Sequence, residues 1–433
     1  MLGSPWPKRI LRGLVSLVAV LALLVGGVWA AGRFDESASA RTEVAGATAR
    51  AEQAPTTTST PPTTSSLPPT TTTEPPPPPL RTAQLAFTGD TLAHAGVVRQ
   101  ARSYAADDPD REYNFAPMFD LVESYLTGAD VAICHLETPL SADNRGLSGY
   151  PTFNVPADIA AGLVAAGYDG CTTASNHSMD QRSGGVVETL DALDAVGLSH
   201  TGMARSEEER NSTRMYDAGG ISVANLSYTY GLNGFSVPSD SPWMVNLIDV
   251  DLIAVDAARA RADGAEYVVV SLHWGIEYRP APSAEQRSVA EQLLPNPDID
   301  IVIGHHAHVV QAVEEVDGKT VVFGLGNFLS NQSANCCDVG SQDGVIMQVN
   351  IQEIRNAGPD DDRFRTWLTY VPTRVDRDDF TIVPVLDALA DLEISTFEER
   401  TLVASRERTR DRLAGSGEQT TRLFEAPTVA VTD

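Results

Sequence analysis

From Arg81 onward, short apolar runs alternate with stretches typical of helices, and this alternation restricts the fold more than any other sequence feature. Strands that alternate with helices predict an α/β fold with much parallel pairing. Continuous apolar runs such as VVVSL and IDIVIG are typical of strands that are buried on both faces. We therefore predict one large α/β domain over residues 81–394, followed by a charged helix and a disordered tail in residues 395–433.

Six of the predicted strands end in polar residues of the kinds that bind metals or substrates. These residues are Asp90, Glu137, Asn176 with His177, His273, the cluster at His305, and Asn327. Ligands of open α/β sheets bind beyond the carboxyl ends of the strands. The sequence therefore predicts that these six strand ends meet at one rim.

Three of the eight histidines of the chain lie in the segment VIGHHAHVVQ, residues 302–311. A buried polar ring needs a partner to offset the loss of water. His306 and His308 lie two positions apart, so in an extended segment their side chains point to the same side. Taken singly, each strand-end residue has a simpler interpretation, such as a turn, a cap or ordinary packing. Five histidines at strand ends favour a common site instead, namely His177, His273, His305, His306 and His308.

Together these side chains supply carboxylate and amide oxygens as well as imidazole nitrogens. Such a mixed ligand set suits Mn, Zn or Fe better than Ca or Mg, which prefer oxygen alone. We therefore predict a site for one or two divalent metal ions. Ions at this site would activate a water molecule and clamp the oxygens of a phosphoryl or acyl group.

Six motifs occur in order between about Gln84 and Asn350: FTGD, HLETPLS, SNHSMD, SLHWGIEY, GHHAHVVQ and GLGNF. In these motifs the chain resembles the CapA-type family, named for proteins of poly-γ-glutamate capsule synthesis, within the calcineurin-like metallophosphoesterase superfamily. The resemblance implies a four-layer α/β sandwich of metallophosphoesterase type with a metal site at its rim.

The resemblance also implies the roles of individual residues. The implied metal ligands are Asp90, Glu137, Asn176, His177, His273, His306 and His308. His305 and His306 are the implied catalytic residues, and His305 would act as an acid or as a hydrogen-bond partner behind a ligand.

The chain departs from the family pattern at two positions. Leu92 stands where the superfamily has the histidine of an Asp-x-His motif, and His94 lies two residues further along. His135 stands at the asparagine position of the family's Asn-Leu-Glu motif. The first departure leaves open whether a second metal ion binds.

Candidate substrate contacts around the rim are Arg145, Tyr278, Arg279 and Asn327. Arg145 lies in a loop rich in Gly and Ser, where it is placed to reach a phosphate or carboxylate. The alternative is a solvated arginine in a surface loop. Glu277 is interpreted either as an acceptor for His273 or as a surface charge.

The N-terminus predicts export. Basic residues in 1–12 precede an uncharged apolar run at 13–32, about the 20 residues that one helix needs to cross a bilayer. The basic side comes first, which predicts a single-pass cell-membrane anchor with the remainder outside. The alternative is a signal peptide cleaved near Ala30, which would release a secreted protein. Residues 33–80, rich in Thr and Pro, predict a disordered linker, and a ligand for a proline-recognition domain is the alternative.

The formal net charge of −27 disfavours nucleic acid as a partner. An anionic substrate would need a local positive charge, which a bound metal supplies. Outside the cell, the four cysteines (Cys134, Cys171, Cys336 and Cys337) predict disulfides whose pairing the sequence leaves open. Cysteine ligation of a metal is the alternative, although the spacing matches no cysteine-based zinc motif.

The resemblance implies a metal-dependent hydrolase or transferase in the synthesis, anchoring or release of capsule or envelope polymer. Its partners would be that polymer, or another substrate containing phosphate or amide groups, and a polymer synthase complex in the membrane. Two alternatives remain at this point: a secreted metal-dependent phosphoesterase unrelated to capsule, and a non-catalytic scaffold that binds polymer.

Overall fold

The computed structural model describes residues 79–355, 363–415 and 423–428. The predicted cytoplasmic segment, the membrane anchor and nearly all of the linker lie outside these residues. Within the described residues, none of the helices is both long enough and apolar enough to span a bilayer.

Strands alternate with helices along most of the chain, as the sequence predicts. The strands are β1 Thr82–Thr91, β2 Val131–Leu136, β3 Leu140–Ser141, β4 Val155–Pro156, β5 Gly170–Thr172, β6 Ser199–Thr201, β7 Met215–Ala218, β8 Ile221–Thr229, β9 Tyr267–His273, β10 Ile301–His305, β11 Val313–Val316, β12 Lys319–Val322, β13 Asn327–Leu329, β14 Asp343–Glu353, β15 Phe364–Val375, β16 Ile382–Pro384 and β17 Leu423–Glu425. The α-helices are α1 Ala95–Tyr104, α2 Glu123–Thr127, α3 Asp158–Ala165, α4 Arg182–Ala195, α5 Glu207–Asn211, α6 Val250–Ala262, α7 Ala284–Leu293, α8 Val385–Ala390 and α9 Glu399–Ala414, with 3₁₀ helices at Ala116–Met118 and Leu392–Ile394.

In the part of the chain that the structure describes, the strands form two large sheets and one two-stranded pair. The first sheet has the order β16-β15-β14-β1-β2-β5-β6, with β13 beside β1 and β17 beside β15. Its strands β1, β2, β5 and β6 are parallel, whereas β14 to β16 are antiparallel. The second sheet has the order β11-β12-β10-β9-β8-β7, and its four central strands are parallel.

The two sheets pack face to face, and helices cover their outer faces. Leu85 of β1 and Met347 of β14 lie in one buried cluster with Val269 of β9 and Ile303 of β10, which joins the sheets. A second cluster packs α1, α3 and α4 on the first sheet, and a third packs α6 and α7 on the second sheet. The layer order is therefore helix, sheet, sheet, helix, and the predicted α/β fold class is confirmed.

The C-terminal part of the chain is attached to the first sheet. Helix α9 occupies Glu399–Ala414, close to the charged helix expected there. Residues 423–425, placed in the predicted disordered tail, instead form strand β17, parallel to β15. The short run LFE does not indicate a strand by itself. These three residues form one because they hydrogen-bond to a strand that is distant in the sequence.

Both disulfides pair cysteines that are close in the fold. Cys134 in β2 and Cys171 in β5 are directly opposite each other in the sheet register and are bonded. Cys336 and Cys337, adjacent in a loop, form the second disulfide. Disulfide bonding, predicted from the sequence, is therefore the outcome for all four cysteines.

Candidate metal centre

The carboxyl ends of strands from both sheets meet at one buried cluster. In the first sheet, β1 and β2 place Asp90 opposite His135, and Glu137 follows β2 directly. In the second sheet, the parallel pair β9 and β10 places His273 opposite His305. Because the sheets face each other, these two register pairs lie across the same space.

Two glycines allow the close approach of strands on which the cluster depends. A Cβ atom on Gly89 would lie 2.2 Å from the carbonyl oxygen of Gly326. A Cβ atom on Gly304 would lie 2.0 Å from the carbonyl oxygen of Phe323. Contacts this short do not occur, so only glycine fits immediately before Asp90 and immediately before His305.

The His-x-His segment is not extended, contrary to our expectation. Strand β10 ends at His305, and the next residues turn, with φ of 87° at His306 and 54° at His308. Positive φ is uncommon for residues other than glycine and concentrates at functional sites. The backbone N–H of His306 donates to Asp90 at 3.2 Å. The turn brings both rings into the cluster, with centroids 6.0 Å apart.

Four groups of ligand atoms lie close enough together to share an ion. They are Asp90 with His135 and His305; Glu137 with His273 and His306; Glu277 with His306 and His308; and Asp90 with Glu137 and His308. All of these residues except Glu277 are buried. Shared members make the four groups one continuous cluster, which is large enough for one or two ions.

The carboxylate of Glu137 shows most directly that the cluster fits a cation. Its side chain is fully buried, and among the described residues neither of its oxygens has a hydrogen-bond partner. Two imidazole nitrogens lie near its Oε1, Nε2 of His308 at 3.8 Å and Nε2 of His273 at 3.9 Å. A buried, unpaired carboxylate is costly, and ligation of a metal is a common way to offset that cost. The residues present therefore fit a divalent ion.

The electrostatics of the two carboxylates differ. Burial raises the pKa of Glu137 well above 4.5, nearby Asp90 raises it further, and His308 opposes the shift. Burial also disfavours the ionised form of Asp90, but the imidazoles of His305 and His308, at 3.4 and 3.0 Å from its oxygens, outweigh burial and hold its pKa well below 3.8. Glu137 is thus the carboxylate that most requires a positive charge.

The imidazoles of His273 and His306 are suited to ligation. Burial lowers the pKa of His306 to about 3 and lowers the pKa of His273 well below 6.5. Neutral rings keep a lone pair for an ion. In His308 burial opposes protonation, but the Glu137 and Asp90 carboxylates outweigh it and raise the pKa to about 9, so this ring must lose a proton before it binds an ion. Within the described ranges, Nδ1 of His305 and Nδ1 of His306 are buried without a hydrogen-bond partner.

The structure separates the predicted ligands into two sets. Asp90, Glu137, His273, His306 and His308 lie in the ligand groups, and Asn176 directs its Oδ1 toward Nε2 of His273 at 3.1 Å. His177 is outside these groups, because its Nδ1 lies 2.7 Å from Oδ2 of Asp180 and its ring packs edge-on against Phe153. His305, predicted as catalytic, is inside one of the groups.

The predicted substrate contacts are only partly near the cluster. The Tyr278 ring lies 5.9 Å from that of His308, and the Tyr278 hydroxyl accepts a hydrogen bond from Gln332. The Arg145 side chain is 87% exposed and faces Asp143, and Arg279 is also exposed. Asn327 is fully buried, and its Oδ1 lies 3.0 Å from Nδ1 of His308. Asn327 is therefore buried beside His308 and is not exposed at the rim.

Four residues of the site were not among the predicted site residues, and one of them, Glu277, is the exposed member of a ligand group. His135 lies at its centre, stacked on His305 with centroids 4.1 Å apart. His135 is two positions before Glu137, and period-two alternation would have placed both on one face of the strand. Asp180 pairs with His177, and Tyr230 covers His306 at 4.6 Å between ring centroids. No local pattern indicates Tyr230, since its loop meets the site only in the folded chain.

The chain combines an α/β sandwich with a buried cluster of histidines and carboxylates at its strand ends, an arrangement typical of α/β proteins that bind metals. The chain belongs to the family described as bacterial capsule synthesis protein PGA_cap, whose match covers residues 84–332. That match includes every residue of the ligand groups, and it confirms the resemblance inferred from the six motifs.

Two curated relatives carry names related to capsule. The chain is 24% identical over 243 residues to the capsule biosynthesis protein CapA of Bacillus anthracis, covering 54% of this chain and 58% of the relative. It is 24% identical over 252 residues to the PGA biosynthesis protein CapA of Bacillus subtilis (strain 168), covering 57% and 63%. The chain thus matches less than two thirds of the length of each relative.

Among solved structures, the calcineurin-like phosphoesterase YfkN from Bacillus subtilis is similar with a TM-score of 0.39 and 13% identity. The similarity covers 77% of this chain and 97% of that chain. A similarity of this size carries no argument about activity.

Proposed function

We propose that this protein is a metal-dependent hydrolase or transferase that acts on a capsule or envelope polymer of the poly-γ-glutamate kind. The observation that carries the proposal is the buried Glu137 carboxylate, which faces imidazole nitrogens and lacks a hydrogen-bond partner in the described chain. Membership in the capsule synthesis family and the names of the two CapA relatives support the choice of substrate class.

The cluster residues have distinct roles in this proposal. Asp90, Glu137, Asn176, His273, His306 and His308 hold one or two divalent cations, with Mn, Zn or Fe suiting the mixed ligands. A cation there supplies Lewis-acid polarisation of a phosphoryl or acyl oxygen. Asn327 fixes the orientation of His308 through the 3.0 Å contact to its Nδ1.

His177 is the candidate proton donor or acceptor. Its Nδ1 lies 2.7 Å from Asp180, which also accepts a hydrogen bond from the backbone N–H of Phe153. A carboxylate held in this way fixes the imidazole ring, and Nε2, which the Asn233 amide nitrogen contacts at 3.4 Å, would exchange a proton with a leaving group. This role replaces metal ligation as our interpretation of His177.

Rim residues would bind the substrate. A poly-γ-glutamate chain is anionic, and the net charge of −27 repels it except where local cations attract it. Arg145 and Arg279 are exposed and are the proposed contacts for substrate carboxylates or phosphates. Tyr230 and Tyr278, which adjoin His306 and His308, would border the bound substrate.

The proposed location is the outer face of the cell membrane. The apolar run at 13–32 would anchor the chain, the Thr/Pro-rich segment would hold the domain away from the bilayer, and a membrane-bound polymer synthase would be the partner. Fractionation of cells with and without protease treatment of intact spheroplasts tests this location.

Metal content of the purified full-length chain tests the proposed activity first. We expect near-stoichiometric Mn, Zn or Fe by elemental mass spectrometry, and its loss in His308→Ala. His200→Gln is the control, because His200 is also buried but lies in the edge strand β6 and contacts Asp194 of α4. Full metal content in His308→Ala would contradict the assignment.

Chelator-sensitive activity then separates the functional classes. Shortening or transfer of poly-γ-glutamate that is lost in His308→Ala supports the proposal. Turnover of small phosphoesters without any action on the polymer would favour a general phosphoesterase. Polymer binding that is unaffected by chelator, without turnover, would favour a scaffold.

A further inference from the structure

Four buried side chains form a continuous line of polar contacts that includes His135 and His273 of the metal cluster. Thr172 Oγ1 lies 2.8 Å from Nδ1 of His135, and Nε2 of His135 lies 2.9 Å from Nδ1 of His273. Nε2 of His273 then lies 3.1 Å from Oδ1 of Asn176. Each of these side chains is 1% exposed. The line crosses from the first sheet to the second, because His135 lies in β2 and His273 in β9.

The chemistry of imidazole allows this line only two arrangements of protons. A neutral ring has one N–H donor and one lone pair, and both nitrogens of each ring are engaged here. In the forward arrangement, the Thr172 hydroxyl donates to His135, His135 donates to His273, and Nε2–H of His273 donates to Asn176. In the reverse arrangement, Nδ1–H of His273 donates to His135, and Nδ1–H of His135 donates to Thr172.

The reverse arrangement needs an acceptor for the Thr172 hydroxyl, and the structure provides one. The carbonyl oxygen of Cys134 lies 3.3 Å from Thr172 Oγ1. A carbonyl can only accept, so it completes the reverse arrangement and cannot take part in the forward one. Rotation of one hydroxyl therefore allows the whole line to change direction.

Only the reverse arrangement leaves His273 able to bind a metal ion. A ligating imidazole nitrogen must present a lone pair, and the reverse arrangement places that lone pair on Nε2, which faces Asn176 and Glu137. Lone pairs of His273 Nε2 and Asn176 Oδ1 would then face each other at 3.1 Å. Two atoms that bind one tetrahedral Zn²⁺ at about 2.1 Å lie about 3.4 Å apart, which is near the separation of these two atoms.

We propose that His135 and Thr172 are positioning residues that reverse the tautomer of His273 when a divalent cation binds. The inference rests on the proposed metal centre. Each ring loses its Nε2 proton and gains one at Nδ1 by exchange with solvent, and the Thr172 hydroxyl turns to Cys134, so the proton count of the line is unchanged. His135 is not a ligand, because its Nε2 lone pair accepts from His273 and its Nδ1–H donates to Thr172.

Removal of the Thr172 hydroxyl tests the proposal. Thr172→Val keeps the branched shape but leaves Nδ1–H of His135 without an acceptor in the loaded chain. Losing a group that hydrogen-bonds to a metal-ligating histidine typically lowers metal affinity by roughly 10–100-fold. We expect Thr172→Val to lower the affinity for Zn²⁺ by that amount. Thr172→Ser keeps the hydroxyl and should keep an affinity near that of the wild type. Competition of the purified full-length chain with a chromophoric chelator measures these affinities.

Thr409→Val is the control for losing a buried hydroxyl that does not contact His135. Thr409 is buried in α9, and in the part of the chain that the structure describes its Oγ1 has no hydrogen-bond partner. We expect Zn²⁺ affinity to be unchanged in this variant. Equal affinities in Thr172→Val and the wild type would overturn the proposal.

Ring-¹⁵N histidine NMR of the same chain, with and without Zn²⁺, measures the tautomers directly. We expect His135 and His273 to change from Nε2–H to Nδ1–H when Zn²⁺ binds. Unchanged tautomers in a chain that binds Zn²⁺, or a signal showing His135 bound to the ion, would overturn the switch alone. A wild-type chain that binds no Zn²⁺, Mn²⁺ or Fe²⁺ would overturn the proposed function and the switch together.

Discussion

Oε1 of Glu137 lies 3.8 Å from Nε2 of His308. The two atoms are close, but they are too far apart for a hydrogen bond. Both side chains are almost completely buried, and they come from different sheets of the sandwich. A separation of this size leaves room for an ion between two ligands. The first two predictions concern this site.

Glu137→Gln should abolish metal binding and stabilise the metal-free chain. The substitution keeps the shape and removes a carboxyl whose pKa burial raises well above 4.5. This group destabilises the metal-free fold at pH 7, because it ionises freely only in the unfolded chain. Removing such a group should raise the free energy of unfolding of the metal-free chain by on the order of 1–3 kcal/mol. Urea unfolding after exhaustive chelation should show a higher midpoint for the variant, and added Zn²⁺ should raise the midpoint of the wild type alone. A variant that is less stable without metal would mean that Glu137 has a different structural partner.

Asp180→Asn should lower turnover while leaving the metal in place. Asp180 contacts His177, which is outside the ligand groups, so the loss affects proton transfer and not ligation. General acid–base catalysis contributes roughly 10²–10⁴-fold to a rate, and we expect a loss of about 10²-fold. Elemental analysis and a rate assay on the same sample measure both quantities, with Thr409→Val as the reference. A proportional loss of metal and rate would show that Asp180 acts on the ligands.

Much of this site could be predicted from residue type and strand position. Asp90, Glu137 and His273 follow or end buried apolar runs, and parallel strands bring their carboxyl ends together. Strand position does not determine which way a ring nitrogen points, so His177 and Asn327 could not be distinguished from ligands or rim contacts. Their roles depend on Asp180 and His308, which neighbour them only in the folded chain.

The class of the fold could also be predicted from the sequence, but its detailed topology could not. Alternating strands and helices indicate the α/β class, but the order of strands in each sheet depends on contacts between distant segments. Strand β17 illustrates this limit, because three residues near the C-terminus are ordered by pairing with β15. The same applies to α9, whose charged sequence gives no indication of its buried contacts.

Asp343→Asn should detach α9 from the first sheet. Asp343 is 1% exposed in β14 and lies 2.6 Å from Arg374 and 2.5 Å from Arg408 of α9. Removing one member of a buried ion pair typically costs about 3–5 kcal/mol, because the remaining charges stay buried. Hydrogen exchange should show lost protection in α9.

Glu425→Gln is the matched control for that network. Glu425 pairs with Arg406 of the same helix at an exposed position, where an ion pair is worth about 0–1 kcal/mol. We expect almost unchanged exchange in this variant. Equal effects of the two substitutions would show that the buried network does not hold the helix.

The disulfide between β2 and β5 should dominate the stability contributed by the cysteines. Cys134 and Cys171 are 37 residues apart, and a loop of that length is worth about 3–4 kcal/mol in the chain-entropy account. Replacing both by serine should lower the urea midpoint by the corresponding amount. Replacing Cys336 and Cys337 should have little effect, because adjacent residues close almost no loop. Equal losses from both pairs would rule out loop closure as the cause.

The ion pairs at the start of β1 should make stability depend on acidic pH. Arg81 lies 2.7 Å from Glu353 at the end of β14 and 2.9 Å from Glu266, just before β9 in the other sheet. The hydrogen bond from Arg81 lowers the pKa of Glu353 from 4.5 to about 2. A carboxylate whose pKa is lower in the folded chain stabilises that chain above the unfolded pKa, here 4.5. This stabilisation fades as the pH falls from 4.5 toward 2 and is lost below it.

Glu353→Gln should therefore have a lower urea midpoint than the wild type at pH 7, and the difference should shrink between pH 4.5 and pH 2. Glu208→Gln, at an exposed position in α5, is the control and should show no such convergence. Urea unfolding of the chelated chain at pH 7, 4 and 2.5 excludes any contribution from bound metal. A difference that stays constant across these pH values would mean that the Glu353 side chain stabilises the fold through packing and not through its charge.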